Sequence, residues 1–95
     1  METFINIRRL KAETKSILFK EKDDTLAKRI KKVIREAKKR LNLDLVILED
    51  SCPEGYEDKF YVGKLIEPEI NLEQYVVVRP SLKDIVKEME EYINE

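Results

Sequence analysis

The stretch DTLAKRIKKVIREAKKRLN, residues 24–42, is the strongest pattern in the chain. Leu26, Ile30, Val33, Ile34, Ala37 and Leu41 fall at the i, i+4, i+7, i+8, i+11, i+15 spacing of a helix with one buried face. On a wheel of about 100° per residue, Lys28, Lys31, Lys32, Arg35, Lys38 and Lys39 all lie opposite that face. Asp23 or Asp24 is placed to cap the first turn, where a carboxylate also meets the positive end of the helix dipole. Arg40 stands in the last turn, and Asn42 suits the left-handed conformation that ends a helix. The segment therefore predicts a helix that buries its aliphatic side on a sheet and turns cations outward.

Working outward from this helix, the residues on its C-terminal side are easiest to read. Leu43–Glu49 is a short, mostly apolar run that fits an inner strand. Ser51, Pro53 and Gly55 mark a loop over 50–58. Lys59–Ile66 reads as a strand in which Gly63 signals a bulge or a close backbone approach. Gln74–Arg79 reads as another strand, broken by Pro80. Ser81 is an N-cap with Asp84 three residues on, and Leu82, Ile85, Val86, Met89, Tyr92 and Ile93 form the stripe of a final helix. On the N-terminal side, Phe4, Ile5, Ile7 and Leu10 alternate partly, and the clustered β-branched residues favour a strand over 3–11. A short helix on Phe4, Ile7 and Leu10 is the competing reading. Ala12–Lys15 then reads as a turn and Ser16–Glu21 as a second strand. The expected fold is a single α+β domain over 1–95, a two-layer sandwich. It has a mostly antiparallel sheet of about five strands, two helices on one face and the order ββαβββα.

Ninety-five residues suffice for one modest core, burying a little over ~60% of the unfolded surface. The net charge of −1 conceals a division. Residues 1–43 hold fourteen Lys/Arg and six Asp/Glu, a net of +8, and residues 44–95 hold five and fourteen, a net of −9. Cys52 is the only cysteine, so an internal disulfide is excluded and a reducing, cytoplasmic setting is expected. The first residues have neither the cationic leader nor the apolar run of a signal peptide, and no stretch reaches the ~18 apolar residues of a membrane span. The wealth of Lys, Glu and Ile is a composition common in proteins of hot environments.

The chain has no histidine, which removes Ser-His-Asp and Cys-His catalysis and the commonest metal ligand. Cys52 is flanked by Asp50 and Glu54, and neighbouring anions disfavour a thiolate. Glu49, Asp50, Glu54, Glu57 and Asp58 crowd one loop, but their spacing is not that of an EF-hand and a solvated acidic loop is expected. Asp44 with the triplet Glu57-Asp58-Lys59 is similar in spacing to the acid and acid-x-Lys pair of metal-dependent nucleases of the restriction-endonuclease type. That resemblance would imply a divalent cation held by the carboxylates. The same triplet spacing recurs at Glu13–Lys15 and Glu36–Lys38, so the reading adopted is non-catalytic, with no cofactor and no metal.

The sequence thus leads to the expectation of a small non-catalytic binding module that self-associates, as a homodimer, or docks on a protein partner through a sheet edge and charge complementarity. The alternative is a nucleic-acid-binding protein that uses Lys28, Lys31, Lys32, Arg35, Lys38 and Lys39. Three like-charge i,i+4 pairs (Lys28–Lys32, Lys31–Arg35 and Arg35–Lys39) each cost a few tenths of a kcal/mol in an isolated helix. An anionic partner would offset that repulsion.

Overall fold

The computed structural model describes residues 6–51 and 59–95. Three helices and three strands run in the order ααβββα: α1 (Ile7–Lys20), α2 (Asp24–Glu36), β1 (Asp44–Ser51), β2 (Lys59–Glu67), β3 (Leu72–Arg79) and α3 (Leu82–Ile93). The strands form an antiparallel meander in spatial order β1-β2-β3. The α+β class holds. The five strands and the ββαβββα order do not, because the two N-terminal strands are one helix.

That helix was hidden by its composition. Ile7, Leu10, Thr14, Ile17 and Leu18 stand at i, i+3, i+7, i+10, i+11, a helical stripe whose centre is a threonine. Thr14 is the buried residue of α1, while Ile17 and Leu18 pack partly buried against the core. The residues between, apart from Ser16, are Arg, Lys, Glu and Ala, good helix formers, and no Gly or Pro breaks 7–20. Asn6 caps the first turn, its side-chain oxygen accepting from the Arg9 N–H at 3.2 Å. Ala12–Lys15, read as a turn, is therefore mid-helix.

The helix α2 forms as its pattern dictates. The Asp23 carboxylate accepts from Thr25 N–H at 3.0 Å and Leu26 N–H at 3.2 Å. Leu26, Ile30, Val33 and Ala37 are buried. The helix then runs into a π-helical turn, Ala37–Leu41, ended by Asn42 in the left-handed conformation with φ 56°. The wider turn rotates its own last residue off the stripe, so Leu41 leaves the apolar face and is 38% exposed. Ser81 caps α3, its hydroxyl accepting from Asp84 N–H at 3.2 Å.

The core lies between α2, α3 and one face of the sheet. Leu45 and Ile47 of β1, Leu65 of β2 and Val77 of β3 meet Leu82, Ile85, Val86, Met89 and Ile93. Tyr75 and Tyr92 stack across this layer with ring centroids 4.1 Å apart. Gly63 permits the close approach of α3. A Cβ there would stand 2.8 Å from Met89 Cε and 2.9 Å from Ile85 Cγ2. No bulge occurs at Gly63; the register shifts instead between Leu65 and Ile66, where β3 carries the extra residue. Arg29 ties α2 to α3 through both Glu90 carboxylate oxygens, at 2.6 and 3.2 Å.

Candidate interaction surfaces

The two edges of the sheet are treated differently. The outer edge of β1 is closed by α1. The Thr14 hydroxyl accepts from the Ile47 N–H at 2.8 Å, and its oxygen lies 3.0 Å from the Ile47 carbonyl and 2.9 Å from that of Leu10. Its single proton serves one of these carbonyls at a time. A side chain thus takes the place of a fourth strand at the middle of β1.

Among the described residues, the edge of β3 has no such cover. In an antiparallel ladder a residue points its N–H and C=O to the same side, and the side alternates along the strand. Ile47 turns both groups toward Thr14. Gly63, opposite Ile47, therefore turns its own toward β3, and Val77, opposite Gly63, answers toward β2. Val76 and Val78 are left facing outward. The Arg79 guanidinium supports this assignment, since it donates to the Val78 carbonyl at 2.7 Å. The side chains of Val76 and Val78 are 44% and 48% exposed, and the preceding Ile70 and Leu72 are more exposed still. The side chains of Val76 and Val78 rise on the sheet face opposite α2 and α3, beside the Lys64–Glu73 ion pair at 3.0 Å.

The second surface is cationic. Lys28, Lys31, Lys32, Arg35, Lys38 and Lys39 are all exposed, on α2 and the π turn. Among the described residues, only Lys38 of the six is ion-paired, with Asp44 at 3.7 Å. Four acids of the second half are taken by other cations: Glu90 by Arg29, Glu88 by Arg79, Glu73 by Lys64 and Glu49 by Lys59. Arg35 and Lys38 line a cleft of about 460 Å³ between α1 and α2, facing Lys11 and Lys15. Sequence reasoning missed Lys11 and Lys15, because a strand and a turn would not have aimed them at α2. The signal lay in their i,i+4 spacing on an unbroken helix. Lys32 lines a smaller cleft of about 340 Å³ toward α3, with Glu36, Arg40 and Glu90.

The nuclease-like arrangement is not assembled. Asp44 pairs with Ile66 and Lys59 with Ser51, at opposite ends of the β1–β2 ladder, about 23 Å apart along a strand. Asp44 is occupied by Lys11 at 3.4 Å and Lys38. Cys52, Glu54, Glu57 and Asp58 lie outside the described residues. Among the described residues no group of three or more His, Cys, Asp or Glu is placed to hold a metal ion. None of the described helices is long and apolar enough to cross a membrane. Burial, with Glu49 nearby, pushes the Tyr61 phenol above its usual range. Hydrogen bonding to Glu90 raises the Arg29 guanidinium further. Compared with known protein families, curated proteins and solved structures, the chain matches none.

Proposed function

We propose that this protein is a non-catalytic binding module of a reducing, cytoplasmic setting that self-associates by strand addition at β3. The observation behind this reading is the contrast between the edges: β1 is closed by the Thr14 hydroxyl, while among the described residues nothing covers the outward backbone groups of Val76 or the two half-exposed valines of β3. A two-fold axis at Val76 would pair the N–H and C=O of Val76 with those of the partner's Val76. It would join two three-stranded sheets into one of six, with the Arg79 guanidinium giving up the Val78 carbonyl to the partner strand. The cationic face of one copy and the acid-rich second half of another supply charge complementarity around that contact.

Light scattering coupled to size exclusion tests this with V76K/V78K. Both side chains are about half exposed, so the fold should tolerate the change, while lysines face one another across the axis. The unmodified protein is expected to be dimeric at about 50 μM and the variant monomeric with unchanged circular dichroism. A monomeric unmodified protein, or a variant that remains dimeric, refutes the reading.

A second reading is nucleic-acid binding through Lys28, Lys31, Lys32, Arg35, Lys38 and Lys39, favoured by the scarcity of internal pairing along that stripe. It requires a gel shift at about 50 mM salt that weakens steeply as salt rises and disappears in K31E/R35E/K38E.

A further inference from the structure

We propose that the cleft between α1 and α2 is a phosphoryl-anion site, independent of strand addition at β3. Lys11 and Lys15 stand one turn apart on α1, and Arg35 and Lys38 one turn apart on α2 and its π turn. All four residues line one cleft whose wall also includes Ile34, Leu45 and Thr14. Two of them are fixed by a common carboxylate. Asp44, with its side chain 9% exposed, holds Lys11 at 3.4 Å and Lys38 at 3.7 Å. This clamp draws ammonium groups from two helices to one point, and an ammonium has three donors, so each retains capacity for a ligand.

One carboxylate against four cations leaves the cleft at +3, and among the described residues no other acid lines it. That charge balances a phosphoryl dianion or a short run of phosphates. Arg35 offers the planar fork that grips two phosphoryl oxygens, and the lysines act as point charges around it. The volume of about 460 Å³ is within the range of small-ligand sites. Among the described residues no aromatic side chain lines the cleft, so nothing there is placed to stack on a base. The recognised element is therefore the phosphoryl group itself, whether on a free polyphosphate or in a nucleic-acid backbone.

Calorimetric titration of the full chain with inorganic tripolyphosphate, and separately with a short DNA duplex, at about 50 mM salt tests the proposal. K15E/R35E alters two cleft cations that Asp44 does not hold. K83E/K87E makes the same change of charge on exposed lysines of α3, outside this cleft and outside the α2 stripe. The cleft variant is expected to bind at least about tenfold more weakly and the control within about threefold of the unmodified protein. K15Q/R35Q, which adds no repulsion, should move in the same direction and guards against misfolding. Tripolyphosphate binding lost in the cleft variants alone assigns the site to free phosphoanions. Duplex binding lost in the cleft variants alone assigns it to a nucleic-acid backbone. Equal losses in cleft and control variants, or no binding of either probe at about 1 mM, would overturn the site.

Discussion

Replacing Thr14 by valine changes the shape of the side chain little and removes one hydroxyl. Thr14 is 5% exposed, and its oxygen is the partner of the Ile47 N–H at 2.8 Å. In T14V that N–H, and the Ile47 carbonyl 3.0 Å from the same oxygen, face a methyl group beneath α1. A buried backbone group left without a partner costs about 1–3 kcal/mol; because the one hydroxyl proton is shared with the Leu10 carbonyl, the loss at the Ile47 carbonyl is partial and the pair should cost about 2–4 kcal/mol. Threonine and valine differ little in helix propensity, so α1 itself is not the source of the loss. For a domain of this size each kcal/mol lowers the melting temperature by about 4–8 °C, which puts T14V roughly 10–25 °C below the unmodified protein. T14S keeps the hydroxyl and gives up one methyl, about 1 kcal/mol. Thermal melts at equal protein concentration compare the three, and amide exchange at Ile47 should quicken in T14V alone. A T14V melting point within about 3 °C of the parent would refute the reasoning, as would an equal loss in T14S.

Packing and the titrating groups lead to three more expected outcomes. G63A drives a methyl group into Ile85 Cγ2 and Met89 Cε; the methionine can swing aside, but the branched isoleucine is held by its helix, so the variant should lose about 1–2 kcal/mol in urea unfolding despite the gain from removing a strand glycine. The raised Tyr61 phenol makes the native state hold its proton where the unfolded chain has already lost it. The contribution of Tyr61 to stability should therefore be constant below about pH 10 and be lost as pH rises through the folded value, so Y61F should make the alkaline fall in stability shallower. The bond between Arg29 and Glu90 links α2 to α3 with both side chains about a third exposed, so E90Q should cost only about 0.5–1 kcal/mol, and less at about 1 M salt.

The parts of the fold that the sequence reveals are those held by aliphatic burial. Leu26, Ile30, Val33 and Ala37 announce α2, and Leu82, Ile85, Val86, Met89 and Ile93 announce α3, since each side chain does its work by leaving water. The strands β1, β2 and β3 are legible for the same reason, in runs bounded by Gly, Pro and Asn. Helix α1 is different. It anchors through a hydroxyl to the backbone of Ile47, an attachment with no hydropathy signature, and most of its exposed residues are charged. Reading it as strands also misplaced Lys11 and Lys15, so half of the α1–α2 cleft stayed hidden although Arg35 and Lys38 were singled out. The outward rotation of Leu41 depends on a single widened turn, which periodicity alone does not register.

A sheet with one sealed margin has a geometric consequence for assembly. A neighbour joined at β3 by two-fold symmetry uses up the bare margin of both copies, so growth terminates at two and cannot run on into a filament. Thr14 would in that case govern stoichiometry as well as stability: freeing the margin along β1 would give each copy two places to add a strand, and a closed pair would become the repeat of an endless ribbon.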